Sequence, residues 1–199
     1  MAKRGRPRNF DRLDALRRAM MAFWEHGYDG TSISTLVEVM GLNSPSIYAA
    51  FGSKAELFTE AVALYRATEG GRIWSATLAA PTSKSAIESL LLTSAEEFTQ
   101  PEKPRGCLVV LGALHGDAAN ESVYRELRDY RAESMATLTL LLRKGVSRGE
   151  IKESADCKAI AAYYLTVQQG MSIQARDGAS RQTLLSVAHQ AISAWDALV

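Results

Sequence analysis

Residues 31–54 read TSISTLVEVMGLNSPSIYAAFGSK, and this stretch decides the fold. It opens with a threonine-serine pair, which is typical of a helix N-cap, and apolar residues then recur at three- and four-residue steps. Gly41 ends this short helix, and Ser44 is predicted to cap a second helix whose first residue is Pro45. Two short helices that are joined by a tight turn predict a helix-turn-helix.

The second predicted helix has one apolar side and one small, polar side. Ile47 and Phe51 are expected to pack inside the protein, whereas the opposite side offers few groups for internal packing. Small residues let a helix approach base edges in the major groove, and hydroxyl groups can donate or accept hydrogen bonds there. We expect DNA contacts from Ser44, Pro45, Ser46, Tyr48 and Ala49, and phosphate contacts from Thr31, Ser32 and Lys54. The alternative is an ordinary helix corner in an all-α core.

A basic segment precedes the first helix. Residues 1–18 carry seven arginine and lysine side chains against two aspartates, so this end has a charge of +5 and the remainder −4. Such an asymmetry favours a polyanionic partner at one end of the chain. The segment at 3–8 reads KRGRPR, so its arginines Arg4, Arg6 and Arg8 are expected to follow the narrow minor groove of DNA. The alternative is nonspecific attraction of a basic tail to phosphates.

Several motifs around the helix-turn-helix occur in the order found in a known family. They are Gly27-Tyr28, Thr31-Ser32, an isoleucine-tyrosine pair followed by Phe51, and a closing Lys54. This arrangement, over about residues 10–65, resembles the TetR family of one-component transcriptional regulators.

The resemblance implies an all-α fold of about nine helices. It implies a basic arm and three-helix DNA-binding domain over 1–54, and a helical ligand-binding and dimerisation domain over 55–199. It also implies a homodimer that usually represses transcription until a small-molecule effector releases it from double-stranded operator DNA. In such a dimer the two reading helices, at 44–50, are expected to enter successive major grooves of a palindrome, about 34–36 Å apart or somewhat more.

Apolar periodicity predicts further helices beyond the glycine pair at 70–71, and no alternating strand pattern competes with them. Their approximate bounds are 83–99, 106–117, 120–147, 156–177 and 180–198. No apolar run approaches the roughly 18–20 residues of a membrane span, and no apolar stretch follows the basic N-terminus as in a secretion signal. With two cysteines in 199 residues, we expect a cytoplasmic protein with no membrane partner and no disulfide framework.

The C-terminal portion is too long for a scaffold alone, which favours a ligand cavity between its helices. An apolar run at 106–115 ends in a histidine, and tyrosine and glutamine side chains lie on a later predicted helix. We expect the cavity to be lined by Phe98, Cys107, Leu111, His115, Tyr163, Tyr164 and Gln168. The alternative is that these residues belong to the core.

Cys107 supports a second hypothesis, in which the protein is a thiol-based sensor of oxidants or electrophiles. Arg105 lies two residues away, and Cys107 falls in the first turn of a predicted helix. Both features would lower the pKa of a thiol and increase its reactivity. The alternative is a cysteine that serves as a small apolar core residue.

The last two predicted helices have more apolar surface than one partner can cover. The surplus face fits an isologous four-helix interface between two copies of the chain. We expect this interface to include Leu165, Ser172, Leu184, Ala188, Ala191 and Trp195. The alternative is a bundle formed entirely within one chain.

The sequence argues against an enzyme, a cofactor and a metal site. The three histidines, His26, His115 and His189, fall on different predicted elements, and metal-ligand, nucleophile-elbow and phosphate-loop motifs are missing. We therefore predict a sequence-specific DNA-binding transcriptional regulator, and the family resemblance implies a repressor that a small molecule releases from its operator. An architectural DNA binder without an effector is a further alternative, and preference for one palindrome over random DNA would distinguish the two.

Overall fold

The computed structural model describes residues 10–114 and 120–199, and these residues form helices and connecting loops without any strand. The helices are α1 (Arg12–Gly30), α2 (Ile33–Met40), α3 (Ser44–Phe51), α4 (Lys54–Ala67), α5 (Gly71–Ala79), α6 (Ser83–Glu97), α7 (Leu108–Leu111), α8 (Glu121–Ser147), α9 (Cys157–Arg176), α10 (Arg181–Ser193) and α11 (Trp195–Leu198). Nine of them exceed a single turn, so the predicted all-α fold of about nine helices is confirmed. Across the described ranges, no helix is long and apolar enough to span a membrane.

Two elements differ from the sequence prediction. Helix α5 was not predicted, because only Ile73 and Thr77 are buried on it and its apolar periodicity is therefore weak. Over the described part of the helix predicted at 106–117, residues 106–114, only the single turn α7 is helical, because Cys107 has an extended backbone and Gly112 already closes the turn. The sequence is apolar here because this turn is largely buried, and not because it forms the apolar face of a long helix.

Helices α1 and α3 pack on α4, and α2 packs on α1 and α3. Phe58 of α4 is fully buried, and its ring lies 5.0 Å from that of Phe23 and 5.1 Å from that of Tyr28. Leu108 of α7 and the first turns of α8 complete this cluster. A second buried cluster joins α6, the later turns of α8, α9 and α10. We call α1–α3 the head and α5–α11 the body; α4 connects them.

Helix α1 bends at Gly27, whose φ of +72° lies in the left-handed region that favours glycine. The bend turns the amide of Tyr28 outward, and it donates to the carbonyl oxygen of Gly112 at 2.7 Å. A Cβ atom at position 27 would lie 3.1 Å from the same oxygen. The glycine-tyrosine pair in the sequence therefore marks a contact between the head and the loop after α7.

Candidate DNA-binding surface and internal cavity

Helix α3 begins one residue earlier than the sequence suggested. Asn43, rather than Ser44, is the N-cap, and its side-chain oxygen accepts from the backbone amide of Ser46 at 2.9 Å. Ser44 and Pro45 occupy the first turn. Asparagine and serine are both strongly favoured N-cap residues, so local preference alone does not decide between Asn43 and Ser44.

The two sides of α3 differ as the sequence predicted. Ile47 and Phe51 are buried inside the head. In contrast, Pro45 and Ala49 are exposed, and Tyr48 is 47% exposed. Ser44 and Ser46 are half-buried beside them. The five residues proposed to contact DNA therefore lie together on an outward surface that carries hydroxyl and methyl groups and no charge.

The residues expected to contact phosphate have different environments. Ser32 is exposed and caps α2, and its hydroxyl accepts from the amide of Thr35 at 3.0 Å. Lys54 is half-buried, with its ammonium group 4.3 Å from the centre of the Tyr28 ring, and burial lowers the pKa of this amine.

The predicted phosphate contact of Thr31 is wrong. This threonine is fully buried, and its hydroxyl donates to the carbonyl oxygen of Gly27 at 2.7 Å. The hydroxyl therefore stabilises the end of α1 and its side chain cannot reach a phosphate. Arg4, Arg6 and Arg8 lie outside the described residues.

A cavity of about 440 Å³ lies among α4, α5, α7, α8 and α9. Cys107 and Gln168 line it, as predicted. The Gln168 side chain is buried, and its amide donates to the hydroxyl of Ser94 at 2.9 Å. Other residues that line the cavity are Tyr65, Trp74, Val110, Tyr130, Arg131 and Gln169.

Most of the other predicted ligand contacts are placed elsewhere by the structure. Phe98 and Tyr164 are buried in the second core cluster, and Tyr163 is exposed on the outer side of α9. Leu111 is half-buried beside Gly106 and does not line the cavity. His115 lies outside the described residues. Sequence position alone could not show which side of α7 or α9 would border the cavity.

The sequence prediction missed the aromatic and cationic residues of the cavity wall. Tyr65 and Tyr130 lie on amphipathic helices, where their spacing indicates burial and does not distinguish a core from a cavity. Trp74 lies on α5, which was not predicted. Arg131 had no recognisable signal, because a charged residue on a long helix is usually solvent-exposed.

The rim of the cavity connects α4 to α8. The guanidinium of Arg66 lies 2.6 Å from a carboxylate oxygen of Glu133 and 3.9 Å from the centre of the Tyr130 ring. The Tyr130 hydroxyl donates to Glu126 at 3.1 Å. Helix α4, which carries Arg66, begins just after α3, at Lys54.

The placement of six residues at the dimer interface is the second prediction that the structure corrects. All of them are buried within their own chain: Leu165, Ser172, Leu184, Ala188, Ala191 and Trp195. The Ser172 hydroxyl, for example, accepts from the amide of Cys107 at 2.9 Å. The periodic apolar stripe of these helices therefore faces the body. Their exposed apolar side chains include Tyr163, Ile173 and Val187.

The environment of Cys107 differs from the one expected for a reactive thiol. The Arg105 guanidinium is directed away and donates to the carbonyl oxygen of Ala179 at 3.0 Å. Burial raises the pKa of the Cys107 thiol, and a hydrogen bond from Tyr65 and the charge of Arg131 oppose this effect only in part. The expected lowering of the thiol pKa is therefore wrong, and this support for the sensor hypothesis is removed.

This environment gives a testable reactivity. Because the thiolate is the nucleophile and its formation is disfavoured, Cys107 should react with iodoacetamide more slowly than free cysteine at pH 7.5. The midpoint of the rate against pH should lie above the value of about 8.5 for an unperturbed thiol. Mass spectrometry of the folded protein gives the rate, with Cys107→Ser as the control. A midpoint below that value would restore the sensor hypothesis.

Comparisons with known proteins agree with this geometry. The family model described as "Bacterial regulatory proteins, tetR family" matches residues 15–61, and "Tetracyclin repressor-like, C-terminal domain" matches residues 86–192. The chain is 35% identical over 202 residues to the HTH-type transcriptional repressor ComR of Escherichia coli (strain K12), covering 98% of this chain and 94% of that protein. It is 28% identical to the repressor BdcR of the same strain, covering 94% and 90%.

A solved structure resembles the whole chain. It is a cysteine-substituted form of the TetR family transcriptional regulator CifR in complex with a 26-base-pair operator duplex. The TM-score is 0.91 at 42% identity, and the similarity covers 96% of this chain and 100% of that one. The two family matches, the relatives and this fold agree, and the chain belongs to the TetR family of bacterial transcriptional regulators.

Proposed function

We propose that this protein represses transcription by binding a palindromic operator as a homodimer, and that a small organic effector in the cavity releases it. The observation that carries DNA recognition is the outward side of α3, which is exposed, uncharged and made of small residues around Tyr48. The names of ComR and BdcR as repressors, and the operator complex of CifR, support the same function.

In this proposal α3 lies in the major groove. The methyl groups of Ala49 and Pro45 are suited to thymine methyl groups, and the serine hydroxyls are suited to base edges or phosphates. The exposed amides at the start of α2, beside Ser32, are suited to a backbone phosphate because a helix N-terminus attracts anions. Phosphate contacts position the head, and base contacts supply the sequence preference.

Selection of bound duplexes from a random library tests this function. The full-length protein should recover a palindrome, and Tyr48→Ala should bind it about 10-fold more weakly, a loss of about 1.4 kcal/mol. The tyrosine is largely exposed, so circular dichroism and thermal unfolding should be unchanged. Recovery of unrelated sequences would contradict the regulator function, and equal operator binding by Tyr48→Ala would contradict the placement of α3.

The proposed dimer interface is the exposed side of α9 and α10. The opposite side of these two helices packs on the other helices of the body. Ile173 is 44% exposed, and Tyr163 and Val187 are exposed on the same two helices. Gly170 lies one turn from Ile173 and would allow close helix approach, because a Cβ atom there would meet nothing within 4 Å. Apolar and small side chains on two adjacent helices are suited to a self-complementary interface.

A charge at the centre of this face tests the interface. Ile173→Glu should convert the dimer to a monomer in analytical ultracentrifugation, because two copies of the carboxylate would be buried near each other. Operator affinity should fall at the same time, since one head then binds one half-site. Ala132→Glu, at an exposed position of α8, is the control and should remain dimeric. A dimeric Ile173→Glu variant would show that the interface lies elsewhere.

Release requires an effector that prefers one arrangement of the heads over another. The cavity borders α4 at Tyr65 and Arg66, and the N-terminal end of this helix follows α3 after Gly52 and Ser53. An occupant that displaces the rim of the cavity therefore changes the position of α4, and with it the separation of the two α3 helices. The size of the effect is limited by the difference in the effector's affinity for the two arrangements.

A further inference from the structure

We propose that the cavity binds an aromatic monocarboxylate, and that Arg131 pairs with the carboxylate. This inference rests on the proposed function only in taking the cavity as the effector site. It names the chemistry of the ligand, which the family membership does not specify.

Three charged side chains line the cavity, and two of them neutralise each other. Arg66 and Glu133 form an ion pair at 2.6 Å, and both side chains are more than one third exposed, as expected at a mouth. Arg131 is the third. Within residues 10–114 and 120–199, no carboxylate lies within ion-pair distance of its guanidinium. The wall therefore carries one uncompensated positive charge.

One hydrogen bond fixes the orientation of Arg131. Its Nη1 donates to the carbonyl oxygen of Val109 at 2.8 Å, which joins α8 to the turn α7. The other N–H groups of the guanidinium have no protein acceptor within the described chain. Guanidinium N–H groups form a planar fork that matches the two oxygens of a carboxylate. A ligand carboxylate would satisfy donors that the protein itself leaves unpaired.

Burial gives this pairing its strength. Arg131 is half-buried, and burial lowers the pKa of its guanidinium, with the nearby Arg128 charge acting in the same direction. A half-buried positive charge costs free energy, and an anion beside it would remove part of that cost. A single cation is matched by a single negative charge, so a monocarboxylate fits better than a phosphate dianion.

The rest of the wall indicates the body of the ligand. Trp74, Tyr65 and Tyr130 contribute aromatic rings, and Val110 and Leu165 contribute aliphatic side chains. Aromatic walls favour an aromatic ligand, because offset-stacked and edge-to-face contacts add to the burial of apolar area. The volume of about 440 Å³ lies within the range of small-molecule sites. One aromatic or bicyclic ring with one carboxylate therefore matches the cavity in size and chemistry.

Matched pairs of acids and esters test the charge requirement. The probes are benzoate, 2-naphthoate and indole-3-carboxylate, each with its methyl ester, titrated into the full-length protein by isothermal calorimetry. We expect at least one acid to bind about 10-fold or more tightly than its ester, which corresponds to about 1.4 kcal/mol. The inference is overturned if no acid of the panel binds more tightly than its own ester.

Substitution of the arginine tests its role. Arg131→Gln keeps an N–H group for the Val109 carbonyl and removes the charge, so it should weaken binding of the acid about 10-fold and leave the ester unchanged. Arg131→Lys should retain part of the preference. Arg125→Gln is the matched control, because Arg125 is exposed on the same helix and does not line the cavity. An acid preference that survives in Arg131→Gln would overturn the assignment.

Operator release is measured separately, by fluorescence anisotropy of a labelled duplex. Binding of the acid through Arg131 without release of DNA would support the anion site and contradict effector-driven release. Release by acid and ester at equal concentrations would support effector-driven release and overturn the carboxylate requirement. The two proposals therefore fail in different measurements.

Discussion

Replacing Ala49 with glutamate should abolish operator binding, with a loss of about 100-fold or more in affinity. Ala49 is exposed on the outward side of α3, among residues without charge. In the major groove its methyl group would be replaced by a carboxylate close to the phosphate backbone. The carboxylate would be repelled by the phosphates and would lose its water without gaining a partner, so both effects act in the same direction.

Fluorescence anisotropy with the selected operator measures this loss. Ala49→Ser is the matched control, because it keeps a small uncharged side chain at the same position and should retain binding within a few-fold. Both variants should keep their helical content and their dimeric state, since the position is exposed and remote from the α9 surface. Operator binding by Ala49→Glu at the level of the unchanged protein would place the DNA surface on another part of the head.

Replacing Arg176 with alanine should both destabilise the protein and weaken operator binding. Arg176, in the last turn of α9, donates from Nη2 to the Trp24 carbonyl at 2.6 Å, from Nη1 to the Glu25 carbonyl, and from Nε to the Arg105 carbonyl at 3.1 Å. We call these contacts the Arg176 bridge. They connect the end of α1 in the head to the C-terminal end of α9 in the body.

The expected loss in the free energy of unfolding is about 2–4 kcal/mol, since hydrogen bonds to charged groups contribute about 1.5–3 kcal/mol each and these are partly exposed. Operator affinity should fall about 10-fold, because binding must then also fix the orientation of the head. Trp24 supports the same connection, and its indole N–H donates to the Gly106 carbonyl at 3.1 Å.

Urea unfolding followed by circular dichroism measures the stability, and anisotropy measures the operator affinity. Arg181→Ala is the control: this arginine forms an exposed ion pair with Glu96, and its loss should cost less than about 1 kcal/mol. Arg176→Lys should recover part of the stability, since one ammonium group cannot reach three carbonyl oxygens in the geometry of a guanidinium. Equal stability of the Arg176→Ala and Arg181→Ala variants would show that the bridge does not hold the head.

The helix-turn-helix could be predicted because its signals are local. The turn glycine Gly41, the proline near the start of α3 and the burial of Ile47 with Phe51 each depend on a few neighbouring residues. The prediction of the cap failed by one residue because Asn43 and Ser44 are both good caps, and local preference does not separate them. The prediction that Thr31 contacts phosphate failed for a different reason. The bend at Gly27 brings the carbonyl oxygen of Gly27 to the Thr31 hydroxyl, and this contact cannot be seen in the sequence.

Helical periodicity establishes that α9 and α10 have apolar stripes, and it cannot assign those stripes to a partner. Leu165 and Leu184 have the spacing expected at a dimer interface, yet they are buried in their own chain because α6 packs against the same stripe. The cavity wall was beyond prediction in the same way. Arg131 and Trp74 belong to different helices, and only the packing of α5 on α6 and of α8 on α9 places them around one space.

Interactions between sequence neighbours were thus sufficient to predict the all-α class, the two short helices of the helix-turn-helix and the family. These depend on caps, glycines and periodicity within one or two turns, where interactions are decided by sequence neighbours. Other features could be identified only in the folded chain. They are the burial of each apolar stripe, the residues that line the cavity and the Arg176 bridge. They join residues as far apart as Trp24 and Arg176, and such contacts exist only once the helices have packed.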